Sequence, residues 1–210
     1  TATAWEPEDV SSLLGSGLAA DASGAEVVIG WDFPTSGSVL IPRGYFRDAA
    51  ETEWVPVSGF PSTGATEFWR VISTGDTWVA VGEYRPSTIA GTSAHGTVWT
   101  SGDGIAWSPA EGNFGEGPLR SATSDVCAFP DGTPIAVGWV EESTGSYRMA
   151  AWAPSGDAWT RVDLGPSGDR EGYASSCASD DRGVVVSATV GGRSVLLHTS
   201  PGASHTLLTR

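Results

Sequence analysis

Lysine is absent from the 210 residues: all eleven basic residues are Arg, against 25 Asp and Glu, and the net charge is −14. Such a chain repels phosphate backbones and anionic membrane surfaces, which argues against nucleic acid as a partner and leaves neutral or cationic ones. Long apolar runs are also missing. None approaches the roughly 18 residues of a membrane-spanning helix, so no membrane insertion is expected. Cysteine is limited to two residues without CxxC spacing, and the three His are scattered, so redox, haem and zinc readings have no support and no metal ligands are assigned. The only Asn, Asn113, precedes Phe114-Gly115, which is not a glycosylation sequon. Helical periodicity is lacking too, because Gly and Pro interrupt every stretch before a 3.6-residue period is established. The chain starts at Thr1 without a charged-then-apolar leader and reads as a mature or excised segment. Its Ala/Gly/Arg bias fits a secreted bacterial protein of actinobacterial type.

What is abundant points to short strands. Gly (28) and Pro (13) supply many turns, and ten Trp stand out. Each buried Trp removes roughly 200 Å² from water, on the order of 5 kcal/mol before entropy is counted. The most legible stretch is Thr97–Ser108, TVWTSGDGIAWS. A short apolar run enters Ser101-Gly102-Asp103-Gly104, and a second leaves at Ala106-Trp107. Gly104 admits positive φ, the Asp103 carboxylate can accept backbone N–H bonds, and Trp107 can cover the turn, so this is a β-hairpin.

The hairpin belongs to a repeat. Val27-Val28-Ile29-Gly30, Val79-Ala80-Val81-Gly82 and Ile135-Ala136-Val137-Gly138 share one pattern, and Val184-Val185-Val186-Ser187 repeats it with Ser in place of Gly. Each follows a turn glycine: Gly24, Gly75, Gly132 and Gly183, spaced 51, 57 and 51 residues apart. A second apolar run comes next, then a strand opened by Trp54, Trp107 or Trp159; the fourth copy, His205–Leu208, lacks the Trp. Each unit therefore reads as four strands, A to D, over approximately 16–58, 66–111, 119–164 and 172–210. Residues 1–15 hold an extra D-type strand at Trp5 and a linker. Tandem four-stranded antiparallel units of this period predict an all-β propeller, in one domain or propeller segment. The Trp5 strand either latches a closed four-bladed ring or marks part of a larger propeller, with further blades from the same or another chain.

Ser101-x-Asp103-Gly104-x-x-Trp107 resembles the Asp-box of the BNR, sialidase-like propellers, one residue shorter than the common pattern. Pro154-Ser155-Gly156-Asp157-Ala158-Trp159 is similar in degenerate form. The resemblance implies that Asp103, and by analogy Asp157, are structural, on the face opposite the functional one. It also allows a Ca²⁺ ion held by backbone carbonyls in the central channel, with a structural role; no other cofactor is expected. Cys127 and Cys177 take near-equivalent places on strand A of adjacent blades, next to the axis, which predicts a disulfide; two buried thiols are the alternative.

On that architecture the functional rim comes from the B–C and D–A loops. The B–C loop from Glu83 to Gly96 offers Tyr84, Arg85 and His95. The third blade offers Trp139, Glu141, Glu142, Tyr147 and Arg148, and the D–A loops offer Glu116, Arg120, Asp169 and Arg170. Trp31 holds in its blade the place of Trp139. Aromatic rings with Arg and carboxylates suit a sugar, so the expectation is a non-catalytic propeller that binds a glycan or protein partner; solvated loop residues are the alternative. Glycoside hydrolysis needs two carboxyls roughly 5 to 9 Å apart or a Tyr nucleophile. Glu141 and Glu142 are adjacent and point oppositely, Asp180 and Asp181 fall on the turn face, and Ile41-Pro42-Arg43 has the residues of the sialidase Arg-Ile-Pro segment in another order, so a sialidase-like glycoside hydrolase is the second alternative, after completion of a larger propeller assembly.

Overall fold

The computed structural model describes residues 14–32, 40–61, 65–85, 93–114, 119–143, 145–162, 164 and 171–199. These form antiparallel sheets in which strand order follows the chain. Blade 1 holds β1 (Leu14–Ala20), β2 (Glu26–Asp32), β3 (Ile41–Arg47) and β4 (Val55–Pro56). Blade 2 holds β5 (Ala65–Ser73), β6 (Trp78–Arg85), β7 (His95–Ser101) and β8 (Ser108–Pro109). Blade 3 holds β9 (Arg120–Ala128), β10 (Pro134–Ser143), β11 (Ser146–Ser155) and β12 (Ala158–Val162). Blade 4 shows β13 (Gly172–Asp180), β14 (Gly183–Val190) and β15 (Arg193–Thr199). Among the described residues, then, three sheets have four strands and the last has three. The expected strands at Trp5 and His205–Leu208 lie outside the described residues.

This is the all-β propeller arrangement, and its cores are the interfaces between blades. Val27, Ile29, Phe68, Val71, Trp99 and Trp107 fill the space between blades 1 and 2. Val79, Val81, Val98, Val126, Trp152 and Trp159 fill that between blades 2 and 3. Ile135, Val137, Met149, Val184, Val186 and Leu197 fill that between blades 3 and 4. Alternate residues of β6 and β10 thus face opposite neighbours, which is why both strands read as continuous apolar runs. The first strand of each blade lies beside the first strand of the next: β1 by β5, β5 by β9, and β9 by β13. These inner strands line the axis.

The turn glycines predicted from the sequence take positive φ at Gly24, Gly75, Gly132 and Gly183 (92°, 95°, 85° and 152°). The glycine that ends each apolar run has a different cause. Each inner strand carries a β-bulge, between Gly15 and Gly17, Phe68 and Arg70, Thr123 and Asp125, and Ala174 and Ser176. In blades 2 and 3 the residue before the bulge pairs with Gly82 or Gly138. A Cβ there would sit 1.9 Å from the carbonyl oxygen of Glu67 or Ala122, which no side chain tolerates. In blade 4 the bulge has moved by one pair, so that Ala174 opposes Ala188 and Ser176 opposes Ser187. Ser187 therefore escapes the carbonyl and replaces Gly.

The Trp that opens the last strand stitches neighbouring blades. Trp107 N–H donates to the Ser58 carbonyl (3.0 Å) and Trp159 N–H to the Glu111 carbonyl (2.7 Å), each on the segment that leaves the preceding blade. The two hairpins before them differ. In the Asp-box turn Asp103 Oδ1 accepts bonds from Ile105 N–H and Ala106 N–H, both 2.8 Å, and from the Ser101 hydroxyl at 2.9 Å. Trp107 Nε1–H closes over the turn onto the Gly104 carbonyl at 2.9 Å. The Asp157 turn is instead a two-residue hairpin in which Ser155 pairs with Ala158 and Gly156 has φ 62°. Asp157 makes no such clamp among the described residues, because the longer β11–β12 ladder already closes the turn.

Candidate functional site

The unpaired residues of three bulges, Trp69, Ser124 and Ser175, line one cavity of about 320 Å³. A bulge turns its extra residue out of the ladder, and on an inner strand that direction is towards the axis. Glu83, Ala122, Trp139, Tyr173 and Ala174 complete the wall. A second cavity, about 370 Å³, shares Trp139 and Tyr173 and adds Arg120 and Tyr147. Blades 2, 3 and 4 thus contribute to one aromatic surface at the end of the strands where the B–C and D–A loops lie. Trp69 is 42% exposed and Tyr173 48%. Both are large rings left in water.

The polar groups among these rings are held in place. Glu83, 6% exposed, accepts two bonds from Arg85, from Nε at 2.8 Å and Nη2 at 2.6 Å, both on Oε1. Glu83 Oε2 has no partner among the described residues. Glu67 pairs with Glu83 across β5 and β6. Burial pushes the Glu67 carboxyl above the usual Glu range, with Glu83 adding to the rise and Arg85 opposing it. Arg120 lies over the Trp139 ring at 5.8 Å, and Tyr147 meets the same ring edge-on at 5.2 Å. No carboxylate lies within ion-pair distance of Arg120 among the described residues.

The residues singled out from the sequence are therefore dispersed. Trp139, Arg120 and Tyr147 meet at the second cavity. Arg85 acts from behind through Glu83. Glu141 is buried, and its Oε1 accepts the Gly145 N–H at 2.9 Å, holding the β10–β11 turn. Glu142 points the other way and binds Arg148 at 2.8 Å and Arg161 at 3.2 Å. Tyr84 and His95 pair with each other in the row beside Glu83, on the face of blade 2 turned towards blade 1, and line neither cavity. Trp31 is half-buried and lines neither. Glu116, Asp169 and Arg170 lie outside the described residues. Trp69, Ser124, Tyr173 and Ser175 were missed, although folding each hairpin about its turn glycine places them near the residue that ends the apolar run, Gly82, Gly138 or Ser187. A third cavity, about 530 Å³, sits on the outer strands β3 and β4 and takes in Ile41, Pro42 and Arg43.

Below the cavities the inner strands are tied together. Cys127 and Cys177 form a disulfide, with Cα atoms 6.1 Å apart, joining β9 to β13 as expected. Asp125 Oδ2 accepts the Cys177 N–H at 2.9 Å, and Asp125 Oδ1 accepts the Val126 N–H at 2.8 Å and faces Arg70 Nε at 3.7 Å. With both oxygens so engaged and the neighbouring sulfurs in a disulfide, these residues do not fit a channel cation.

Solved structures share this fold at low identity. A Hadza microbial sialidase superposes with a TM-score of 0.65 at 12% identity, over 92% of this chain and 45% of its own. A protein of unknown function from Dyadobacter fermentans gives 0.62 at 11% identity, over 93% and 67%. The GH32 β-fructofuranosidase of Bombyx mori gives 0.56 at 12% identity, over 93% and 47%. The chain spans about half the length of the sialidase and of the fructofuranosidase. No protein-family model matches it, and no curated protein does. The likeness establishes a sialidase-like propeller fold, and the Asp-box remains a resemblance of one turn.

Proposed function

We propose that this chain is a secreted, non-catalytic propeller that binds a carbohydrate on the aromatic surface of blades 2 to 4. The supporting observation is the cavity lined by three bulge residues together with Trp139 and Tyr173. Pyranose rings stack their C–H faces on indole and phenol rings, while their hydroxyls need both donors and acceptors. Here Glu83 accepts, Arg120 donates, Ser124 and Tyr147 do either, and Ser175, whose hydroxyl donates to the Ser187 carbonyl at 3.1 Å, accepts. The disulfide agrees with an oxidising compartment, and no described helix is long and apolar enough to cross a membrane. A glycan array with the wild type and with Trp69→Ala and Tyr173→Ala tests this. Both rings are exposed, so the variants should fold and lose retained glycans. Retention unchanged in both variants, or no glycan retained by the wild type, defeats the reading; a peptide array then tests a protein partner on the same rings.

A second reading, completion of a larger propeller, is favoured by Leu18 and Leu196. They are 61% and 67% exposed, on faces of blades 1 and 4 turned away from the interblade cores. Light scattering should then show an assembly that Leu18→Ser or Leu196→Ser dissociates; a monomer at every concentration counts against it.

A further inference from the structure

The two cavities are not separate pockets. They share Trp139 and Tyr173 and differ in what lies on either side. Resting on the carbohydrate reading above, we infer that they are two adjoining subsites of one oligosaccharide site, with a linked pair of sugar units as the minimal ligand. Each cavity lies at the small end of the range for ligand sites, about 300–1,000 Å³. Each has its own polar equipment. The first offers the Glu83 carboxylate, whose Oε1 is occupied by Arg85 and whose Oε2 has no partner among the described residues, with Ser124 and Ser175 in the same wall. The second offers the Arg120 guanidinium and the Tyr147 hydroxyl.

The two ends are therefore chemically distinct. The first subsite presents a fixed acceptor and takes a unit through donated hydroxyls. The second presents the Arg120 guanidinium as a fixed donor, with the Tyr147 hydroxyl beside it, and takes a unit chiefly through hydroxyl or ring oxygens. A glycosidic linkage crosses the Trp139–Tyr173 wall, where neither subsite needs a polar partner. Trp139 is positioned for this role from the second side, by Arg120 above its ring and Tyr147 at its edge. A saccharide fits better than a proline-rich peptide, which would use the rings but leave the buried Glu83 carboxylate without a donor at most positions.

Isothermal titration of the whole chain provides the test, with glucose, xylose and N-acetylglucosamine and their β-1,4-linked disaccharides and tetrasaccharides as probes. The disaccharide of a bound series should bind at least about tenfold more tightly than its monosaccharide, since a second set of contacts is engaged. Arg120→Ala should cut that gain, weakening the disaccharide by a larger factor than the monosaccharide. Tyr147→Phe, which keeps the edge contact with Trp139, should reduce the gain. Trp69→Ala should weaken monosaccharide and disaccharide by the same factor, because it touches only the first subsite. If monosaccharide and disaccharide bind alike, or if Arg120→Ala weakens both equally, the two-subsite inference falls while the carbohydrate reading stands. If no sugar binds, both fall.

Discussion

The two ends of the strands are built by opposite means. At one end lie the turns within each hairpin, where short-range bonds hold carboxylates charged. Asp103 is kept below the usual Asp range by the Ala106 and Ile105 N–H groups, and Asp131 by Thr133 N–H. Asp180 is lowered by Arg182 N–H, and Asp21 chiefly by the Ser23 hydroxyl. At the other end the carboxyl with a displaced pKa moves the other way: Glu67 is raised, by burial. At the first end these carboxylates have their bonds made within the turns. The second keeps Trp69 and Tyr173 exposed, and Glu83 Oε2 has no partner there among the described residues. On the reading proposed above, the second end is the one that binds.

The comparison breaks most severely where both ends depend on one backbone. The Cys127–Cys177 bond closes a separation of 50 residues between blades 3 and 4. Replacing both by Ala should cost about 4 kcal/mol in denaturant melts, if loop entropy dominates. The cost should fall on stability, with glycan binding retained in the fraction that is folded. Gly138→Ala comes next, at about 3 kcal/mol, because the new Cβ meets the Ala122 carbonyl at 1.9 Å and the bulge must move. The bulge aims Ser124 at the first cavity, so this variant should lose binding as well. Ser187→Gly, at the corresponding place in blade 4, should change stability by less than about 1 kcal/mol. Equal costs at Gly138 and Ser187 would refute the role assigned to the bulge.

At the turn end the effect is smaller and confined. Asp103→Ala removes three bonds from a partly exposed turn, and a loss of about 1–2 kcal/mol is expected. Binding should be untouched. Because its folded pKa is lowered, Asp103 contributes stability above its unfolded pKa, near 3.9. That contribution disappears as pH falls through the folded value. Acid melts of the wild type and Asp103→Ala should therefore converge at low pH. Curves that stay parallel would show that the charge is immaterial to the turn.

These contrasts also explain what could be read in advance. The Asp-box turn is local: Ser101, Asp103, Gly104 and Trp107 lie within seven residues, and the side-chain bonds that close it are made among neighbours. The blades were legible because the Val-rich runs of blades 2 and 3 must be apolar on both faces to serve two interfaces, and those of blades 1 and 4 repeat the pattern. The disulfide followed from equivalent positions in adjacent blades. The cavity was less accessible. Trp69 and Tyr173 sit in strands, where an aromatic residue suggests core, and only the bulge or the end of the sheet turns them outward. Glu83 was read as the start of a loop, although β6 runs to Arg85. The glycines at 82 and 138 were visible as a pattern, but their cause is a carbonyl on the neighbouring strand, and a pattern within one strand does not reveal its partner.

The smallest effect gives the sharpest test of the contrast, because its sign is opposite at the two ends. Glu67 has a folded pKa raised above its unfolded value by burial. Its ionised form is thus less stable in the folded chain, which costs stability above the folded pKa. The cost is relieved as pH falls through that value, and it vanishes below the unfolded pKa, near 4.3. Glu67→Gln should therefore raise stability at neutral pH, by less than about 1 kcal/mol. Asp103→Asn, which weakens a carboxylate held charged by backbone donors, should lower it. Denaturant midpoints at pH 7 for the two neutralised variants should move in opposite directions. If both fall, Glu67 is fixed by its charge as Asp103 is, and the cavity end holds no spare bonding capacity at that position.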